Sequence, residues 1–553
     1  MTSNDQIYLE SVPELPFSIA RVWKGVASAG CGKTFTIERA INELIESGVV
    51  PSDIGYILYN RDPADEFRSR FIDKGYTKQD LMWMDTHHGI CMKLLRVKPD
   101  SIMTEKKGLS QWAEEHGFRL RESDNEEDLE GKKTEYGLAL DSLDRKIYCG
   151  DENLDAIETK LKGFLADTEV KSGKITFSRV IQKCIQMNLV PPVKYLFVDE
   201  GQDNGSIQHA YFEKVAQSDV LKGFMMVGDD KQAINEYKGG NHQGFLQFKC
   251  DKLFVLPTTY RCSEPVLRFA NKIIEPVKER SPITKTSAQK SPGGVRLISE
   301  FKECVEGIKN ATGKKKSVLI LVRNNFVKRN LFRVLHDNGI ATKTSQLLIM
   351  QDIVYAFQQM KSTGMISVNT LRILMPPESQ QDGLSKTAYW PRGFLAAMNK
   401  KDIANMTEDQ LAVYGTILEA EHDGEGIVCE VSKAPNILGV NKEFMEDVER
   451  GYPAVERFTK SKRDACASLL DIIVANKGVV HPVEVSSIHS AKGKEANVVI
   501  LITNVSRKTK EHEEENPDSE RRVWYVGATR AIEALIVTKV NTGSYYEYHT
   551  ELL

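Results

Sequence analysis

An α/β fold with two parallel sheets is what this 553-residue sequence predicts. Three observations carry the prediction. Short apolar, β-rich runs recur along the chain in two separate sets. Most are followed by a segment with helical patterning, the order that lays helices on a parallel sheet. The first run also opens through a loop of small residues, ASAGCGKT (27–34), into a helix-like stretch.

The first set is WKGVAS (23–28), IGYILYN (54–60), LMWMDT (81–86), YLFVDE (195–200), FMMVGD (224–229) and KLFVLPT (252–258). These runs are continuously apolar rather than alternating, which suits strands covered on both faces. The second set is VRLISE (295–300), SVLILVR (317–323), VEVSSIH (483–489), NVVILIT (497–503) and ALIVTKV (534–540). Two longer stretches, about 96–189 and 362–475, are richer in charge and carry no strong strand pattern, so they read as helical insertions. The segment TKEHEEENPDSE (509–520) reads as a loop too polar to pack. The expected organisation is a first lobe from 1–95 and 190–262 with an insertion at 96–189. A second lobe comes from 263–361 and 476–553, with an insertion at 362–475.

Composition is that of an ordinary globular chain, 41% hydrophobic and 27% charged. No run of roughly 18 apolar residues suggests a membrane span, and the start MTSNDQIYLES lacks the features of a secretory signal. The nine cysteines are scattered without a CxxC pair, which argues against zinc or iron–sulfur sites. Reduced thiols in a cytoplasmic protein are expected instead. Net charge is only −3, but its distribution is uneven. Residues 266–345 hold 17 Lys/Arg against 6 Asp/Glu, and residues 121–160 hold 13 Asp/Glu against 6 Lys/Arg. A basic path on one lobe suits a polyanion.

The motifs supply chemistry. A glycine-rich loop between a strand and a helix cradles phosphate with backbone N–H groups. Here Ala27, Ser28, Ala29, Gly30, Cys31, Gly32, Lys33 and Thr34 would form it. Lys33 would reach the β/γ-phosphates and Thr34 would ligate magnesium. In VDEGQD (198–203), Asp199 at the end of an apolar run suits a magnesium ligand. Glu200 beside it suits the group that orients and deprotonates water. In VGDDKQAINEYKGG (227–240), Gln232 is placed to sense the γ-phosphate, while Tyr237 and Lys238 could meet a nucleic-acid strand.

Further stretches follow in order: THHG (86–89), LPTTYRCS (256–263), IHSAKGKE (488–495) and ERRVWYVGATRA (520–531). With the phosphate loop and the acidic run, they make the chain resemble superfamily 1 DNA helicases of the UvrD/Rep/PcrA type. The matching motifs run from residue 27 to 531. The resemblance implies two RecA-like, parallel-sheet P-loop NTPase lobes, each with a mainly helical insertion. It also implies hydrolysis of ATP with magnesium, 3′→5′ movement on single-stranded DNA, and unwinding at single-strand/duplex junctions.

Residue by residue, it implies that Arg261 and Arg530 are arginine fingers, that Tyr260 stacks on adenine, and that Glu495 bonds the ribose beside Gly493. Gln202 would couple nucleotide to strand. Asn60, Thr86, His88, Tyr237 and His489 would contact the single strand. The chain departs from the family pattern at several places. The adenine-reading glutamine falls near Val12, with Gln6 out of register; Leu58 and His87 stand for phenylalanines, Tyr237 for a tryptophan, and Asn235 for a tyrosine. Cys31 stands for the usual serine and reads as a tolerated small residue. Two alternatives stay open: a helicase subunit of a helicase–nuclease complex in recombination or phage defence, and a nucleotide-gated DNA-binding module that does not unwind. A nuclease or a replication or repair factor is the kind of protein partner this implies, and monomer and dimer are both compatible.

Overall fold

In the computed structural model, six described strands form one parallel sheet: β1 (Val22–Ala27), β2 (Ile54–Leu58), β3 (Met84–Thr86), β4 (Tyr195–Val198), β5 (Gly223–Gly228) and β6 (Lys252–Leu256). The described residues are 16–104, 108–120, 134–236, 239–283, 286–343, 358, 360–367, 428–433, 445–446, 448–449, 483–541 and 546–547. The sheet order is β3-β2-β4-β5-β1-β6. Its strands are buried on both faces, as their continuous apolar sequences require. Lys24 is the exception in β1. Its ammonium is tied down by the carbonyls of Leu246 at 2.7 Å and Phe248 at 3.1 Å.

That order matters for the site. β4, β5 and β1 are neighbours and all run the same way, so their C-terminal ends open onto one edge of the sheet. In open α/β sheets ligands bind outside those carboxyl ends. The phosphate loop follows β1, Asp199 follows β4 and Asp229 follows β5, so topology brings the three motifs together.

A short parallel pair, β7 (Thr258–Thr259) with β8 (Thr286–Ser287), leads to the second sheet. That sheet is built from β9 (Gly294–Leu297), β10 (Val318–Val322), β13 (Glu484–Ser487), β14 (Ala496–Ile502) and β16 (Ala531–Thr538). It is also parallel, in the order β13-β10-β14-β16-β9. Two antiparallel ribbons complete the described strands: β11 (Met365–Ser367) with β12 (Val428–Glu430), and β15 (Asn504–Val505) with β17 (Tyr546–Glu547). Most of 362–475 lies outside the described residues, as do Gln6, Val12, Tyr237 and Lys238.

Among the described residues of the stretch 96–189 the chain forms four α-helices, Leu109–Glu115, Glu135–Cys149, Ala156–Ser172 and Phe177–Gln186. Asp155 and Glu158 close a reciprocal cap at the start of the third. Trp112, Phe118, Leu140, Leu143 and Leu161 share a small core of their own. The last helix differs, because Val180, Ile181 and Cys184 pack into the core of the first sheet beside Val198 and Phe212.

The stretch 509–520 is not a loop. It lies in the helices Arg507–Glu515 and Pro517–Ala528, with Thr509, Glu513 and Glu520 buried. Ser506 caps the first helix by accepting the Thr509 N–H, and Pro517 suits the first turn of the second. Glu520 is satisfied inside by Arg323, whose Nε and Nη2 reach its two oxygens at 2.9 and 2.6 Å. Polar composition hid a buried ion pair.

Candidate nucleotide and strand sites

The phosphate loop is shaped by two glycines. Gly30 and Gly32 have φ of 69° and 82°, the left-handed region that side chains rarely adopt. A Cβ at Gly30 would also stand 2.4 Å from the Arg261 Cβ. The helix Lys33–Glu46 then begins, presenting amides that lack intrahelical partners. Cys31 faces inward, where its Sγ accepts the Ser28 N–H at 3.1 Å and packs with Ala27 and Ile37. Thr34 Oγ1 donates to Asp199 Oδ2 at 3.1 Å, and Lys33 Nζ lies 3.4 Å from Glu200 Oε1. Tyr56 OH donates to the same Asp199 oxygen at 3.1 Å.

Glu200 has φ of 51°, a conformation uncommon for a non-glycine residue and frequent at functional turns. Burial by itself would raise its carboxyl, but Lys33 and then Lys492 outweigh it and hold the group at about 2. Asp199 moves the other way, pushed up by burial and by the Glu200 charge. Burial would lower Lys33, yet Glu200, Asp229 and Asp199 hold it above its ordinary value. Lys33 and Glu200 are thereby both held in their charged forms.

A chain of hydrogen bonds leads from Glu200 to the second sheet. Gln202 donates to Glu200, and its carbonyl accepts the Asp229 N–H at 2.9 Å. Asp229 Oδ2 accepts from Gln232 Nε2 at 2.7 Å, and Gln232 Oε1 accepts from Arg530 Nη2 at 2.8 Å. Arg530 is 1% exposed. Burial and then the nearby Arg261 charge lower its value to about 10, so it stays a cation at neutral pH. Arg261 itself is paired with Glu495 at 2.6 Å. Sequence reasoning sends these two to the γ-phosphate and the ribose; in the structure they hold each other. Tyr260 is anchored by its N–H to the Gly30 carbonyl at 2.9 Å, with its side chain 65% exposed beside the loop. Gly493 turns at φ 88° just before this pair.

A cleft of about 480 Å³ opens on the insertion side of the first sheet. Asn60, His88, Asp203, Asn204, Asp141, Asp144, Arg145 and Tyr148 are among its lining residues. His88 Nε2 is 2.6 Å from the Tyr148 hydroxyl, and its ring meets Phe177 edge-on at 4.9 Å. Thr86 is otherwise engaged: its hydroxyl caps the helix His87–Leu95 by accepting the Gly89 N–H. His489 sits in a 3₁₀ turn (His489–Ala491) after β13, outside the lining of this cleft.

Comparison with known proteins shows the family. A family model described as the UvrD/REP helicase N-terminal domain matches residues 23–162 and 175–252. One for the UvrD-like helicase C-terminal domain matches 459–542. The chain belongs to the UvrD/REP helicase family. Among similar proteins, "ATP-dependent DNA helicase PcrA" of Staphylococcus epidermidis is 22% identical over 607 residues, covering 94% of this chain and 81% of the relative. The protein of the same name from Staphylococcus aureus is 21% identical over 601 residues, covering 93% and 80%.

In this UvrD/REP-family helicase, Thr34 and Asp199 offer a hydroxyl and a carboxylate 3.1 Å apart. Those are hard oxygen donors, and magnesium is commonly held by one or two such groups plus substrate phosphates. Among the described residues no group of three or more His, Cys, Asp or Glu converges as a metal site. No described helix is long and apolar enough to cross a membrane. Sequence reasoning missed Lys492 and Asp203, which form an ion pair within the site. Both stood inside motifs already singled out, but nothing in the string says that they meet. Asp141, Asp144, Arg145 and Tyr148 carried no signal at all, because the insertion has no motif to anchor them.

Proposed function

We propose that this helicase hydrolyses ATP with magnesium to move 3′→5′ along single-stranded DNA and to unwind duplex at junctions. In this reading 1–95 with 190–262 form the first RecA-like lobe and 263–361 with 476–553 the second. Residues 96–189 and 362–475 are their insertions. The observation that carries the reading is the 2.8 Å bond from Arg530, just before β16, to Gln232, just after β5. It joins a cation next to one sheet to the Gln232 loop of the other, within reach of the Glu200 charge, which supports a nucleotide site assembled from both.

Lys33 and the amides opening its helix hold the phosphate oxygens. Thr34 and Asp199 would hold magnesium, which would supply positive charge to offset the negative charge of those oxygens. Glu200, ionised, accepts a hydrogen bond from water and orients it toward the γ-phosphate. Arg530 and Arg261 place positive charge where the transferring oxygens gather negative charge. Lys33 and Arg261 exchange their present carboxylate partners, Glu200 and Glu495, for phosphate when ATP binds. Tyr260 stacks on the base, and Glu495, released, meets the ribose with Gly493 alongside. Gln202 and Gln232 pass the change toward the strand cleft, where Asn60 and His88 grip DNA; Thr86, Tyr237 and, from the second lobe, His489 contact the strand as well. The names of the staphylococcal relatives support ATP and DNA as substrates.

Direction is tested with single strands labelled at one end or the other and followed through ATP-driven arrival of the protein. Arrival at the 5′ end supports the reading. Arrival only at the 3′ end reverses it.

A further inference from the structure

Lys492 belongs to the stretch that follows β13, yet its ammonium lies in the first sheet's site. Its side chain is 15% exposed and forms an ion pair with Asp203, whose side chain is fully buried. It also donates to the Gln232 carbonyl at 3.0 Å and stands 3.8 Å from Glu200 Oε2. Asp203 faces two ways. It accepts from Gln202 Nε2 at 3.2 Å and from Asn235 Nδ2 at 3.0 Å, and it lines the strand cleft with Asn204. One cation from the second sheet therefore touches the water-orienting carboxylate, the γ-phosphate-sensing loop and a wall of the strand cleft. Ala491, next to it, is fully buried in the core of the second sheet, so Lys492 cannot stay in place if that sheet moves away.

We propose that Lys492 is a positioning residue that aligns Glu200 for hydrolysis only while its own lobe is seated against Asp203. The physical ground is charge balance. Glu200, half-buried, and Asp203, fully buried, are two carboxylates sharing one cation, and bringing like charges together without it is costly. With Lys492 withdrawn, the pair repels and Glu200 leaves the line of attack. With Lys492 seated, both are held and Glu200 faces the phosphate loop. A strand that shifts Asp203 from within the cleft acts on the same cation. Hydrolysis is thereby tied both to lobe closure and to strand occupancy.

This inference rests on the ATP-hydrolysis reading, and the test separates the two. ATP hydrolysis by the full chain is measured with and without an oligothymidine strand, for wild type, Lys492→Met, Asp203→Asn and the double variant. Lys492→Met is expected to lower strand-stimulated kcat about tenfold or more, with KM for ATP and strand affinity within about twofold of wild type. The double variant is expected to recover several-fold over Lys492→Met, because removing both partners leaves no orphaned charge beside Glu200. An unchanged kcat in Lys492→Met, a loss in which KM and strand affinity worsen in step, or a double variant no faster than Lys492→Met overturns the inference alone. A wild type that the strand does not stimulate overturns this inference and the parent reading together.

Discussion

At Glu200 three influences compete: burial that would neutralise it, Lys33 on one side and Lys492 on the other. The cations win, and the carboxylate stays ionised at about 2. Replacing it with glutamine keeps the shape and removes the charge. Glu200→Gln is therefore expected to slow strand-stimulated hydrolysis by at least about 10²-fold while nucleotide still binds. Lys33→Ala is expected to lose binding as well as turnover, because it removes a direct phosphate contact. Fluorescent-nucleotide titration beside phosphate release separates the two, and unaltered turnover in either contradicts the assignment. Cys31 reads from the sequence as a tolerated small residue, and its setting agrees with a packing role. In the fold it is 6% exposed and engaged by the Ser28 N–H.

His87 is the other residue-scale departure. Its ring packs between Tyr211 and Phe212, with centroids 4.8 and 4.9 Å away, and neither nitrogen has a hydrogen-bond partner among the described residues. Burial, with lesser effects of His88 and His209, drives it far below the ordinary 6.5; burial likewise takes His88 and His209 to about 4. The unfolded chain thus binds more protons than the folded one below about pH 6.5. Stability from these neutral rings is complete above that pH and is lost as pH falls toward 4. His87→Phe is expected to stabilise the fold by about 1–3 kcal/mol, since it removes a buried group with unmet hydrogen bonds. It is also expected to flatten the decline between pH 6.5 and 4. Chemical denaturation at pH 7, 6 and 5 checks both, and a variant as acid-sensitive as wild type contradicts the account.

Among elements, the two helices spanning 507–528 carry the sharpest lesson. Their acidic run reads as solvent-exposed, yet Glu520 is 1% exposed and depends on Arg323 from the end of β10. Arg323→Ala leaves that buried carboxylate to His512 Nδ1 at 3.1 Å and is expected to cost about 3–5 kcal/mol in denaturant unfolding; a loss below about 0.5 kcal/mol, the level of a surface substitution, contradicts the burial. By contrast, every apolar run proposed from sequence holds a strand, and for the buried central ones continuous burial writes itself into composition. The P-loop was legible for a related reason: Gly30 and Gly32 are forced by backbone geometry, and Lys33 and Thr34 by phosphate chemistry. Lys492–Asp203 and the Tyr148 wall of the cleft were not legible. Their meaning lies in which distant segments touch, and no local pattern encodes that.

At the scale of the whole molecule, several described contacts between the two sheets' segments are polar. Arg530 meets Gln232, Lys492 meets Asp203, and Arg261 meets Glu495. Arg522, buried in the helix before Arg530, donates to His242 Nε2 at 2.9 Å and to the Glu279 carbonyl at 2.8 Å. The other ring nitrogen of His242, Nδ1, lies 3.0 Å from Glu236 Oε1. Such contacts are specific when made and exchangeable for water when broken, which suits lobes that close and open around nucleotide. Strand binding by phosphate contacts is expected to weaken steeply between 50 and 200 mM salt and to be indifferent to base sequence; affinity measured on two unrelated oligonucleotides across that range checks it. The central claim is that catalysis needs a cation from the second sheet. Strand-stimulated turnover of Arg530→Ala tests it most directly. A fall of about 10³-fold or more with nucleotide affinity little changed is the predicted result, and turnover close to wild type would contradict a site built from both sheets.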